Sequence, residues 1–199
     1  MTPEPDPDNG GEGNGEFSAE TELPQEETMK LSTRILSEAI VLVALAGVLN
    51  FVKIYTLPQG GSITAGAMVP ICWFALRRGV KWGIFAGVVF GFIVMLNPVD
   101  FYVVNPVQLL LDYPIAFGAL GLAGAFRNHP LVGVGIGMLG RFISHFVSGV
   151  VFFSMFAPPG MSPFLYSAAY NGSFLTGEFI ITAVVMFLLV KRRALNLYL

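Results

Sequence analysis

From Leu31 onward the chain alternates long apolar runs with short polar breaks. Six runs stand out: 34–55, 62–77, 80–96, 106–126, 131–156 and 165–190. A helix crosses the hydrocarbon core of a bilayer with about 20 apolar residues, within a range of about 17–25. The second and third runs sit at the short end of that range, so one of them is expected to be less tilted, broken or re-entrant. Backbone polar groups in lipid must be satisfied internally, which leaves only helices or closed barrels. Barrel strands alternate at every second residue, whereas these runs are continuously apolar. The pattern predicts an all-α membrane protein, a compact bundle of about six transmembrane helices.

Composition sharpens this picture at one end. The 199 residues are 54% hydrophobic and only 12% charged, against about 25% charged in a soluble domain. Nine of the thirteen acidic residues precede position 28, and every Lys and Arg lies at or after Lys30. The net charge of −2 therefore hides an acidic tail and a basic body. Residues 1–29 are rich in Pro, Gly, Glu and Asp. Such a segment buries too little apolar surface to offset its chain entropy, so a disordered acidic tail at 1–29 is expected, followed by a six-helix domain at 30–199. The start has neither a basic stretch nor an apolar core of the kind a secretory signal carries. A single cysteine, Cys72, precludes an internal disulfide.

The basic residues also orient the bundle. Lys30 and Arg34 precede the first run; Arg77, Arg78 and Lys81 separate the second and third; Arg127 and His129 separate the fourth and fifth; Lys191, Arg192 and Arg193 follow the sixth. If six helices alternate, all of these share one side, and both termini are expected to be cytoplasmic. The opposite connections, YTLPQGG, NPVDFYVVN and APPGMSP, contain no Lys or Arg. Lys53, near the end of the first run, is expected to snorkel.

Gly83, Gly87 and Gly91 recur every four residues, a small-residue face that lets helix backbones approach closely in lipid. Four ionisable residues stand out inside the runs: Asp112, Arg141, His145 and Glu178. Such groups are costly in a bilayer and face the bundle interior or a wet cavity. Tyr113 and Pro114 follow Asp112 directly, and the proline should loosen the helix there. An Asp112–Arg141 or Asp112–His145 pair that merely holds helices together is the competing reading. Arg141 reads as structural or as an internal counter-charge, and Glu178 as structural. Tyr102, Phe152, Phe153, Phe156, Tyr166 and Tyr170 gather near the predicted outer ends. They form either an interfacial aromatic belt or a cage able to hold a flat heterocycle or a cation.

Four stretches carry a family resemblance: VPICWFALRRGVKWG, QLLLDYPIAFGALGLAG, GRFISHFVSGVVFF and LYSAAYNG. Together they resemble the thiamine-specific substrate-binding (S) component of energy-coupling-factor (ECF) vitamin transporters, over roughly positions 35–193. The resemblance implies a six-helix bundle in the cell membrane that binds thiamine from outside with high affinity. It implies partners as well: an ECF transmembrane subunit, two ATPase subunits and the lipid bilayer, with no nucleic acid. It also implies ligand-binding roles for Asp112, Tyr113, Tyr102, His145, Phe153, Tyr166 and Asn171, and a partner-docking role for Ile40 and Ala44. The chain departs from the family at several of these positions. Asp112 stands where Glu is usual, Phe153 where Trp is common, Gly60, Gly61 and Ser62 where a Trp lid residue is often found, and Ile40 where the docking motif has Ala.

No cofactor, metal or catalytic residue is expected, and no GxxxxGK[ST] phosphate loop is present, so ATP hydrolysis is assigned to the partners. The alternatives are an S component for another vitamin or a thiamine precursor, a membrane enzyme, or a structural membrane protein. The enzyme reading would use Ser144–His145 and Gly172–Ser173, but Ser144 and His145 are adjacent helix residues that point about 100° apart, and no third orienting group is evident.

Overall fold

The structure, a computed structural model, describes residues 25–96 and 105–192, with side chains from Ser32 onward. Six helices follow in chain order: α1 (Gln25–Phe51), α2 (Met68–Arg78), α3 (Val80–Met95), α4 (Pro106–Phe126), α5 (Pro130–Phe152) and α6 (Pro163–Lys191). Four of them, α1, α4, α5 and α6, are long and apolar enough to cross a bilayer. At about 1.5 Å per residue, the 11 residues of α2 cannot do so, and the 16 of α3 fall short of the full thickness. The expected weakness of the second and third runs is thus a real shortening, greatest in the second.

The first two runs also end differently from the sequence expectation. α1 begins at Gln25, upstream of 34, and stops at Phe51. Positions 1–24, most of the expected tail, lie outside the described residues. Lys53, expected at a helix end, instead opens strand β1 (Lys53–Thr56), which pairs antiparallel with β2 (Ser62–Thr64). Pro58 and Gly60 make the connection, with Gln59 at φ 62 and Gly60 at φ 91. A helix cannot run through that turn, so the region between α1 and α2 folds as a hairpin.

α2 is almost wholly buried, from Met68 through Leu76, and packs on α1, α3 and α4. The α3 glycines make the close approach possible. A Cβ at Gly83 would lie 2.5 Å from that of Ala75, and one at Gly91 would lie 2.7 Å from the Pro114 Cα. The GxxxGxxxG face is therefore internal packing against α2 and α4. α4 itself is irregular: it opens as an α-helix capped by Asn105, widens into a π-type turn over Leu111–Ile115, and ends in tight 3-10 turns over Ala119–Phe126. Pro114, which has no N–H to donate, sits in the wide turn. Ser144 Oγ of α5 donates to the Leu111 carbonyl at 2.6 Å, so a backbone oxygen of the loosened turn is satisfied from a neighbouring helix.

The hairpin is tied to α6 at two points. The Tyr170 hydroxyl accepts from the Gly61 N–H at 3.0 Å and donates to the Pro58 carbonyl. Glu178 Oε1 accepts from the Thr64 N–H at 2.6 Å. Gly61 fits only because it has no side chain, since a Cβ there would lie 2.9 Å from the Tyr170 hydroxyl and from the Phe174 ring. At the opposite end of the bundle, the Glu38 carboxylate of α1 meets Arg77 at 2.6 Å and Arg78 at 2.5 Å.

Two outcomes are expected. Gly91→Ala forces α3 away from α4 at an overpacking cost of about 1–3 kcal/mol, whereas Gly47→Ala meets open space and leaves stability unchanged or slightly raised. Thermal melts of both variants in detergent check this, and equal melts would contradict the packing. Tyr170→Phe removes two hydrogen bonds, each worth about 0.5–1.5 kcal/mol. Amide exchange at Gly61 should accelerate several-fold, while Thr64, still held by Glu178, changes less.

Candidate ligand-binding cavity

Short α2 leaves the space above its first turn unfilled by helix. That space is a cavity of about 90 Å³, walled by α4, α5 and α6, floored in part by Met68 and covered by the hairpin residues Gln59, Gly60, Gly61 and Ser62. Six of the residues singled out from sequence line it: Asp112, Tyr113, His145, Phe153, Tyr166 and Asn171. Tyr102 lies outside the described residues.

Asp112 projects from the wide turn of α4, and its carboxylate is held from two sides. Gln108 Nε2, one turn earlier, donates to Oδ2 at 2.7 Å. His145 Nδ1 of α5 lies 3.1 Å from Oδ1. With its proton on Nδ1, the imidazole donates to the carboxylate and leaves Nε2 as an acceptor, and Nε2 is buried with no partner among the described residues. The ring meets Phe174 edge-on at 5.8 Å. Arg141, on the same face as His145, does not reach Asp112. Its Nη1 donates toward the Met68 sulfur at 2.8 Å, and its guanidinium lies 4.3 Å from the Phe117 ring centroid.

Asn171 is buried on α6. Its Nδ2 donates to the His145 carbonyl at 3.1 Å, to the Ser167 carbonyl at 3.0 Å and to Ser167 Oγ at 3.2 Å. The amide nitrogen is thus spent on α5 and α6, which leaves Oδ1 as the acceptor for anything entering the cavity. Tyr166 and Tyr170 stack at 6.0 Å, one turn apart on α6, and Tyr170 also meets Phe174 edge-on at 6.0 Å. Phe153 ends α5 and packs against Phe156 at 6.1 Å. The cavity therefore presents acceptors and aromatic faces around two carboxylates, Asp112 and Glu178, a lining that suits a flat, N–H-bearing cation.

Several lining residues were not singled out from sequence as facing a cavity. Gln108 falls four residues before Asp112, a spacing that puts both on one helix face, and that spacing was a usable signal. Glu178, read as structural, is fully buried, lines the cavity and holds the hairpin through Thr64. Arg141, read as structural or as a counter-charge, lines the cavity but does not pair with Asp112. The hairpin cover had no signal in hydropathy at all. Among the described residues, no group of three or more His, Cys, Asp or Glu could hold a metal ion.

Comparison with known proteins places this architecture. Over residues 36–197 the chain matches the family described as thiamine transporter protein (Thia_YuaJ). It is similar to the thiamine transporter ThiT of Bacillus subtilis (strain 168), with 36% identity over 172 residues that cover 77% of this chain and 88% of that protein. It is also similar to the thiamine transporter ThiT of Lacticaseibacillus paracasei, with 29% identity over 170 residues, 76% of this chain and 84% of that one. The solved structure of ThiT from Listeria monocytogenes shares the fold with a TM-score of 0.72 and 26% identity, covering 81% of this chain and 95% of that chain. With a family match spanning most of its length and a bundle shared with a solved relative, the chain belongs to the thiamine transporter protein family and is a multi-pass membrane protein.

Proposed function

We propose that this chain is the high-affinity thiamine-binding subunit, the S component, of an ATP-driven ECF-type uptake transporter in the cell membrane. Thiamine is bound near the extracellular side and released inward together with a partner transmembrane subunit and two ATPase subunits, which carry the ATP chemistry. The observation that carries the reading is the Asp112 carboxylate, steadied by Gln108 and His145 inside an aromatic cavity. The named relatives, all thiamine transporters or ThiT, support the choice of ligand.

The chemistry of thiamine matches that lining. Its thiazolium ring carries a fixed positive charge, and its aminopyrimidine offers an N–H₂ donor on a flat ring. A carboxylate can face the cation or accept from the amino group. His145 Nε2 and Asn171 Oδ1 are further acceptors within the same wall. Aromatic faces contribute about 0.5–2 kcal/mol per good cation contact, so drawing a cation from water needs several at once, and Tyr166, Tyr170 and Phe153 supply them. Phosphorylated ligands want a basic clamp, and Arg141, the cavity's one cation among the described lining residues, is already engaged with Met68 and Phe117. Partner docking on Ile40 and Ala44 is supported by their exposure on the outer face of α1. The inward side is taken to be the end bearing Arg77, Arg78, Lys81, Arg127 and Lys191, which puts both termini in the cytoplasm.

Calorimetry of the detergent-purified protein should report tight binding of thiamine and much weaker binding of thiamine diphosphate and riboflavin. Asp112→Asn should cost about 1.5–3 kcal/mol, or roughly 10- to 100-fold in Kd. No heat with thiamine, or full affinity in Asp112→Asn, would sink the assignment. For orientation, a cysteine placed at Pro159 should react with a membrane-impermeant maleimide on intact cells, and one at Asn128 only after permeabilisation. Cys72 is buried and stays silent. The reverse labelling pattern would invert the topology.

A further inference from the structure

The end of the bundle opposite the cavity carries a concentration of positive charge that nothing so far uses. α1 and the helix ends of α2, α3, α4, α5 and α6 bring Arg34, Arg77, Arg78, Lys81, Arg127, Lys191 and Arg192 to one side. Contacts confirm the gathering: Glu38 of α1 bridges Arg77 and Arg78, and the Arg127 guanidinium lies over Gly79, where a Cβ would meet Nη2 at 2.7 Å. Arg34, Lys81, Arg127, Lys191 and Arg192 are exposed. Among the residues whose side chains are described, the only carboxylate at this end is Glu38, and its two oxygens are taken by Arg77 and Arg78.

The complementary charge is in the same chain. Residues 1–24 contain seven acidic side chains (Glu4, Asp6, Asp8, Glu12, Glu16, Glu20 and Glu22) and no Lys or Arg. They join α1 at Gln25, on the basic side of the bundle. Twenty-four residues extend to at most about 80 Å. A bundle three helices across, at about 10 Å per helix, is far narrower, so the segment is long enough to reach every cation named. Tethering raises its effective concentration at that surface to the millimolar range.

We propose that the basic end is a docking surface for the chain's own acidic N-terminal segment, residues 4–24, which lies over it by ion pairing and competes there with anionic lipid headgroups. Each exposed pair is weak alone, so the contact is multivalent and sensitive to salt. Headgroups offer the same kind of charge, and cytoplasmic basic residues near a bilayer attract them. The segment is favoured because it is tethered and brings seven carboxylates against five exposed cations. This inference does not depend on the ligand of the cavity.

Zero-length carbodiimide cross-linking joins a carboxylate to a lysine amine without a spacer and needs no substitution. It would be run on the full chain in nanodiscs of phosphatidylcholine and, separately, of phosphatidylcholine with phosphatidylglycerol, then mapped by mass spectrometry. Intrachain links from residues 4–22 to Lys81 and Lys191 are expected in both membranes at about 0.1 M salt, where charges are screened over about 10 Å. They should fall several-fold at about 1 M, where screening acts over about 3 Å. Replacing the seven acids with Asn or Gln should speed acetylation of Lys81 and Lys191 several-fold. Four results would overturn the proposal: no such links in either membrane, links only between copies, links insensitive to salt, or links in phosphatidylcholine that vanish with phosphatidylglycerol. The last would assign the surface to lipid headgroups.

Discussion

Along one stripe, α3 meets α4 with no side chain between the two backbones. Gly83, Gly87 and Gly91 lie along one stripe, and the backbones of Tyr113, Pro114, Phe117 and Gly121 occupy the room that side chains would need. In lipid there is little hydrophobic force between helices, so close van der Waals contact of this kind holds them together. The consequence reaches the cavity directly. Gly91 backs onto the Tyr113–Pro114 step, so the wide turn that aims Asp112 inward is supported from behind by backbone rather than by side chains that could change rotamer. Ser144 secures the same turn from α5 by bonding the Leu111 carbonyl. A proline-bearing turn at membrane depth would otherwise expose polar backbone, and here it is pinned from two sides.

That rigidity matters because the cavity exists through a shortage of helix. α2 covers little more than half the bilayer core, and what stands above it is a two-stranded hairpin. A hairpin of this size is marginal on its own. It gains its place from α6, through Tyr170 at the turn and Glu178 at β2. Tyr170 also lines the cavity, so the side chain that latches the cover is one that a bound molecule would touch. The Gly60–Gly61–Ser62 stretch, a departure from the family's lid when read as sequence, has a structural reason. The turn sits so close to Tyr170 and Phe174 that a bulky residue at Gly61 could not be accommodated.

Hydropathy was enough to reveal the bundle, because the cost of exposed backbone in lipid leaves few alternatives to long helices. It was also enough to flag the second and third runs as short. It could not reveal the hairpin, since KIYT and SIT are too short for a period to register and are flanked by residues equally at home at a helix end. In the cavity, Asp112 and His145 were legible because ionisable groups inside a membrane need a reason to be there. Phe153 and Tyr166 stood out by their place near the predicted outer ends, where belt and cage could not be told apart, and the family resemblance supplied the ligand-binding role of these two and of Asn171. Thr64 was not found, because a backbone N–H on a strand has no distinctive signature until the neighbouring element is placed, and Gln108 was overlooked although its place one turn before Asp112 was a usable signal.

The disposition of charge inside the cavity chooses between the two pairings that the sequence left open, and takes Asp112–His145. Asp112 could have paired with Arg141, which would have cancelled its charge and left a neutral, structural contact. Instead Arg141 turns toward the Met68 sulfur and the face of Phe117, and Asp112 is held by an amide and an imidazole. Hydrogen bonds from Gln108 and His145 stabilise a carboxylate without supplying a full counter-charge when the imidazole is neutral. The attraction for a cation is then left for whatever enters the cavity. A shorter Asp in place of Glu is compatible with this arrangement, since both carboxylate oxygens are already fixed by partners on α4 and α5 and the acid does not need extra reach to find them. In the proposed function, the cost of bringing a fixed cation out of water is offset by a carboxylate held in place by neighbours that do not compete for its charge.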